Sequence, residues 1–152
     1  MDKFKKFSID NYKEEFLFVS FDDILVTKNP IIFDTNFLFI TFEFKIDVIS
    51  EIRKIIAGDF NLFIYEGTIK ELKDIEKYKT KNKKFLPLIM AMFKKYNFKV
   101  ISSDEKYVDA QILSNLNSKV ILATNDKALR LEIWKKRFKV LYLRQKAYLE
   151  IK

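Results

Sequence analysis

The stretch Ile31–Ile40, "IIFDTNFLFI", decides how this chain is read. Its apolar run is interrupted by a carboxylate, Asp34, followed by Thr35 and Asn36. Burying a carboxylate without a partner is costly. The interruption therefore marks a change of element rather than the middle of one. A short β-branched strand ends at Asp34, and Asp, Thr and Asn are residue types that open helices.

Working outward, the same alternation repeats. Before it, "MDKFKKFSIDNYKEEF" (1–16) is charged and lacks clear periodicity, "FLFVSFDDILV" (16–26) reads as a short strand pair or a helix packed on the core, and Asn29-Pro30 marks a boundary, so that residues 1–30 stand apart. They are assigned as an N-terminal extension of unknown role, with one domain over 31–152. After it, "KIDVISEIRKIIAG" (45–58) carries Ile46, Ile49, Ile52, Ile55 and Ile56 at helical spacing, with Gly58 as the stop. "NLFIY" (61–65) reads as a buried strand, and "GTIKELKDIEKY" (67–78) as a helix opening on Thr68. A basic turn then leads into an apolar helix within 79–96. "FKVIS" (98–102), "KVILAT" (119–124) and "FKVLYL" (138–143) are further strands, separated by helices over 103–116 and 125–137. Short strands alternating with helices predict an α/β fold whose central parallel sheet, of about five strands, is covered on both faces.

Composition removes whole classes of chemistry. The chain of 152 residues has no cysteine and no histidine. Disulfides, thiol nucleophiles, Cys- or His-ligated metals and imidazole bases are excluded. An enzyme built from this chain must work with carboxylates, Lys, Tyr, Ser or Thr. Its metal would be a hard, oxygen-preferring ion such as Mg²⁺ or Mn²⁺. A net charge of +8 and an isoelectric point near 9.4 suit a polyanionic partner, nucleic acid above all. No stretch approaches the roughly 20 apolar residues of a membrane helix. "FLFVSF" near the start is too short for a signal core, so a cytoplasmic protein with no membrane partner is expected.

Four carboxylates occupy places that call for an account. Ligands of an open parallel sheet bind outside the carboxyl ends of its strands. Asp34 and Asp126 both fall at such ends, and neither loop is glycine-rich, which disfavours dinucleotide and P-loop phosphate binding. Each also fits a helix cap. Glu71, three residues after Thr68, fits a capping box, yet Ile75 and Tyr78 continue its face. Asp109 has Ile112, Leu113 and Leu116 at helical spacing, which puts an acid on a core-facing stripe. If the four converge, repulsion raises their proton affinities unless a divalent cation neutralises them. A basic protein carrying such a pocket has what a metal-dependent nuclease requires.

The motifs "FDTNFLF" (33–39), "IKEL" (69–72), "VDAQIL" (108–113) and "ATND" (123–126) follow in order and resemble those of PIN-domain ribonucleases. The likeness runs from about Ile31 to Tyr148. It is greatest to an archaeal branch related to the eukaryotic PIN nuclease of pre-rRNA processing, and extends more distantly to VapC-type toxins. The resemblance implies a Rossmann-like, three-layer α/β/α sandwich. It also implies an endoribonuclease that uses one or two Mg²⁺ or Mn²⁺ ions and water activated by them. Asp34, Glu71, Asp109 and Asp126 would be the catalytic, metal-holding acids. Thr35, Asn36 and Asn125 would orient them, and Thr124 would shape the loop. Many relatives carry a second acid after the third aspartate; here that residue is Ala110.

Weaker candidates for RNA contact are the basic turn Lys79, Lys81, Lys83 and Lys84, then Arg130, Lys135, Lys136 and Arg137 on the exposed side of their helix. Arg144, Gln145 and Lys146 complete them. The expected function is endoribonucleolytic processing of ribosomal RNA precursors, with a homodimer expected by analogy. The alternatives are a catalytically quiet RNA-binding assembly factor and a toxin held by an antitoxin.

Overall fold

The computed structural model describes residues 9–78, 81–103 and 108–152, apart from the side chain of Asp109. A 3-10 turn (Ile9–Asn11) leads into α1 (Tyr12–Glu15), β1 (Phe18–Val19) and α2 (Phe21–Ile24). Then come β2 (Pro30–Phe33), α3 (Thr35–Glu43), α4 (Val48–Ile55), β3 (Asn61–Tyr65) and α5 (Glu66–Tyr78). A second 3-10 turn (Lys81–Phe85) precedes α6 (Leu86–Lys95), β4 (Lys99–Ile101) and α7 (Val108–Ser114). β5 (Ile121–Ala123), α8 (Lys127–Lys135), β6 (Val140–Arg144) and β7 (Tyr148–Ile151) follow.

The described residues form one seven-stranded sheet in the order β1-β4-β3-β2-β5-β6-β7, with only β7 antiparallel to its neighbour. The five expected strands are β2 to β6. β1 escapes a periodicity reading because two residues cannot show a period. β7 escapes because its hairpin lacks the usual glycine or asparagine. Gln145 and Lys146 take the two left-handed positions instead, at φ of 54° and 55°.

Strand alternation divides the core. Ile31, Phe33, Leu62, Ile64, Val100, Ala123, Leu141 and Leu143 face one layer, packed with α1 and α3 to α6. Ile32, Phe63, Tyr65, Ile101, Leu122, Val140 and Tyr142 face the other, packed with α2, α7 and α8. The strands are thus apolar on both faces, as a covered parallel sheet demands. Among the described residues no helix is long and apolar enough to cross a membrane.

Residues 9–30 belong to this same body. β1 pairs with β4 through Phe18↔Val100 and Val19↔Ile101, which covers an edge that would otherwise be open. Ile9, Tyr12 and Phe16 enter the first core layer, Phe16 edge-on to Phe93 at 5.7 Å between ring centres. Ile24 enters the second layer. A capping box between Ser20 and Asp23 starts α2.

Helix α5 departs from expectation at its start. It begins at Glu66, directly off β3, so Thr68 lies inside the first turn and is not the cap. Thr68 is fully buried and its hydroxyl accepts from the Thr35 hydroxyl at 2.9 Å. The capping-box reading of Thr68 and Glu71 is therefore corrected.

Two predictions follow from this packing. Phe16→Ala is expected to lower the urea unfolding free energy by about 3 kcal/mol. A change near zero would show that residues 9–30 are not part of the cooperative unit. The second concerns Tyr65, whose buried hydroxyl makes no well-formed hydrogen bond among the described residues. Burial pushes its pKa from 10.0 up to about 12, with nearby Asn115 offsetting part of the shift. The folded state then holds the phenol proton more tightly than the unfolded chain. The associated stability is complete below pH ~10 and declines as pH rises through about 12, by about 3 kcal/mol in all. Tyr65→Phe should match or exceed wild type at pH 7 and show a shallower alkaline loss, measured by urea unfolding at both pH extremes.

Candidate active site

The sheet has one topological switch point. From β2 the chain builds β3 and β4 on one side, then returns to place β5 and β6 on the other. The carboxyl ends of β2 and β5 flank that point, where α/β proteins bind ligands. The register Phe33↔Ala123 makes Asp34 and Thr124 the next rung. The Asp34 N–H donates to the Ala123 carbonyl at 2.9 Å, extending the ladder by one bond.

Asp34 is buried, 4% exposed. Its Oδ1 accepts from the Thr35 N–H at 2.8 Å, and its Oδ2 from the Thr124 hydroxyl at 2.8 Å. Both bonds are to a charged acceptor, the stronger class. Thr124 is itself fully buried and its Oγ1 accepts from the Asp126 N–H at 3.1 Å. One hydroxyl thus ties the aspartate of β2 to the loop after β5. Asp126, half-buried, caps α8 by accepting from the Leu129 N–H through Oδ1 at 3.0 Å. Asn125 grips the neighbouring strand. Its Oδ1 accepts from the Leu143 N–H at 2.7 Å, and its Nδ2 donates to the Leu143 carbonyl at 3.3 Å.

The remaining candidates lie around this core. Thr35 reaches Asp34 with its backbone and Thr68 with its hydroxyl, joining α3 to α5. Glu71 is exposed, one turn beyond Thr68. Asp109 is the second residue of α7, whose buried residues include Val108, Gln111 and Ile112; its side chain lies outside the described residues. Asn36 is exposed in the first turn of α3. Among the described residues no three acidic side chains gather closely enough to hold a metal ion. The oxygen-only donors present suit Mg²⁺ or Mn²⁺. Asp126 has an oxygen beyond the one used in its cap.

Of the basic candidates, Lys79 lies outside the described residues. Lys81, Lys83 and Lys84 sit in the second 3-10 turn, whose Phe85 stacks on Phe42 of α3 at 6.4 Å. Lys135, Lys136 and Arg137 are exposed. Arg130 is not on the exposed side of its helix: it is half-buried against Tyr142 and Trp134. Arg144 pairs with Glu150 at 2.8 Å, and Gln145 and Lys146 form the exposed hairpin tip.

One acid escaped the sequence reading. Glu66, at the carboxyl end of β3, accepts from the Tyr12 hydroxyl at 3.0 Å and faces the Ser103 N–H at 3.5 Å. Burial, followed by the Glu66 hydrogen bond and charge, raises the Tyr12 pKa. Its sequence signal was its place just after a strand, the same signal that marked Asp34.

The comparisons agree on the family. The family described as "PIN like domain" matches residues 31–146. Ribonuclease VapC4 of Methanocaldococcus jannaschii is 35% identical over 121 residues, covering 78% of this chain and 92% of that protein. The solved structure of the PIN domain endonuclease Utp24 superposes with a TM-score of 0.66 at 22% identity. It covers 81% of this chain and 90% of the other, a likeness of fold.

Thr124→Val keeps the shape and removes the hydroxyl that serves Asp34 and Asp126. It is expected to cost about 2 kcal/mol in unfolding free energy, because it leaves a buried carboxylate short of a donor. Thr35→Val removes only a bond between neutral hydroxyls and should cost about 1 kcal/mol. Equal losses, by thermal or urea unfolding, would contradict this ranking.

Proposed function

Because the chain belongs to the PIN-like domain family, we propose that it is an endoribonuclease that hydrolyses RNA phosphodiester bonds with Mg²⁺ or Mn²⁺. The observation that carries the reading is Asp34, a buried carboxylate held by two donors at the switch point of the sheet. A carboxylate oriented in this way is suited to a cation.

Asp34, Glu71, Asp109 and Asp126 are the residues we assign to the metal. Such an ion, when bound, supplies an activated water and positive charge for the oxygens of the scissile phosphate. The chain's own contribution is positional. Thr35 and Thr124 fix Asp34, the α8 cap fixes Asp126, and Asn125 keeps the loop between them against β6. Exposed lysines and arginines hold the RNA backbone.

Ribosomal RNA precursors are the substrate we favour from the motif resemblance. A second role has its own support: 35% identity to ribonuclease VapC4, across 92% of that protein, favours a VapC-type toxin held by an antitoxin. A homodimer fits either role. Ala110, in place of a second acid, is the feature that favours a non-catalytic RNA-binding factor.

The test is cleavage of a structured RNA by the purified protein with Mn²⁺. Asp34→Asn, Asp109→Asn and Asp126→Asn should each lower the rate by about 100-fold or more, and chelation should abolish it. Equal rates in all four proteins would sink the proposal. Growth arrest relieved by a neighbouring gene product would assign the toxin role, and cuts confined to precursor rRNA the processing role.

A further inference from the structure

Among the described residues Arg130 has no anionic partner. It lies one turn past Asp126 on α8, its N–H bonded to the Asp126 carbonyl at 2.9 Å. Its guanidinium carbon stands 4.7 Å from the Tyr142 ring centre and 5.5 Å from that of Trp134. The side chain is half-buried, and its Nε is shut away without a hydrogen-bond partner. Among the described residues, ion pairs engage Lys54, Lys73, Lys94, Lys135 and Arg144, and none engages Arg130.

A guanidinium remains charged at any pH where a protein is folded. Withdrawing it from water without a counter-charge is unfavourable. Two aromatic faces compensate in part, but they offer no acceptor to its N–H donors. The Glu150 carboxylate, on adjacent β7, is taken by Arg144 and the Tyr142 hydroxyl.

The place of this cation is set by register. Tyr142 is one rung past Ala123↔Leu141, level with Thr124, the residue that holds Asp34. In the order β2-β5-β6, Arg130 packs over the strand two removed from Asp34, about 10 Å along the sheet. It is beside the candidate site, stacked in advance, and half exposed to solvent.

We propose that Arg130 binds a backbone phosphate of the RNA, next to the phosphate that is cut. The inference rests on the ribonuclease reading and sharpens it. Arginine's planar fork matches a phosphate's oxygens, and the stack against Trp134 and Tyr142 fixes that fork before RNA arrives. Little side-chain freedom is then lost on binding.

Trp134 is the chain's single tryptophan, so its emission reports on the stacked arginine. A single-stranded oligoribonucleotide is titrated against Asp34→Asn protein, alone and combined with Arg130→Lys or Arg130→Gln. Arg130→Gln should weaken binding about tenfold and reduce the slope of log affinity against log salt by about 0.7, one phosphate contact on a single strand. Arg130→Lys should keep most of the slope and lose part of the affinity, because charge survives and the fork does not. In the wild-type background KM should rise about tenfold for Arg130→Gln with kcat within about threefold. If Arg130 only clamps α8 to β6, Arg130→Gln lowers the melting temperature while affinity and salt slope stay unchanged, and the proposal is overturned. Failure of the ribonuclease reading looks different: the wild-type chain then cuts no RNA at all.

Discussion

The hydrogen bond from the Thr124 hydroxyl to Asp34 crosses the switch point of the sheet, and much of the structure is arranged so that it can form. It requires β2 and β5 to be adjacent and parallel in one register, although β3 and β4 intervene in the chain. A slip of one residue would turn Asp34 and Thr124 to opposite faces and set Ile31, Phe33 and Ala123 against the wrong helices. The apolar alternation that builds two core layers therefore also sets the position of the carboxylate. Core and candidate site answer to a single constraint.

The N-terminal residues show how far that constraint reaches. β1 closes the β4 edge, and Tyr12, in the first core layer, donates to Glu66. Glu66 begins the helix that carries Thr68, and Thr68 meets Thr35 beside Asp34. A continuous set of packed and hydrogen-bonded groups thus joins the segment before β2 to the loop after it. Loosening that segment would be felt at the start of α5 before it was felt at β2.

Much of the fold was legible because its signals are local. Ile31 to Phe33, Asn61 to Tyr65 and Val140 to Leu143 are strands whose apolar content needs no knowledge of neighbours. Gly58 and the spacing of Ile46 to Ile56 likewise announce where α4 sits. What was not legible depends on pairing. β1 is a strand only because β4 offers it partners, and Gln145-Lys146 turns a hairpin without the residues that usually mark one. The start of α5 was misplaced because Thr68 looks like a cap by type, whereas tertiary packing gives its hydroxyl to Thr35. In the candidate site, residue type pointed to Asp34 and Asp126, but that Thr124 touches both is a fact of register. The half-burial of Arg130 was equally hidden: helical spacing alone cannot show that Tyr142 comes up beneath it.

The choice between a capping aspartate and a ligand aspartate, posed by the sequence, turns out to be a false opposition. Asp126 caps α8 with Oδ1 alone, and a carboxylate has a second oxygen. Asp34 accepts the N–H of the first residue of α3 through one oxygen and the Thr124 hydroxyl through the other. A helix cap is in fact a good mount for a ligand. It fixes the rotamer and places the group at the loop edge where solvent and substrate arrive. The cost of holding a charged oxygen near the core is met by donors that the fold must satisfy in any case. Two strand ends that each open a helix, brought side by side at the switch point, thereby give a pair of oriented carboxylates, with Thr124 bridging them and Thr35 and Asn125 holding the backbone around them.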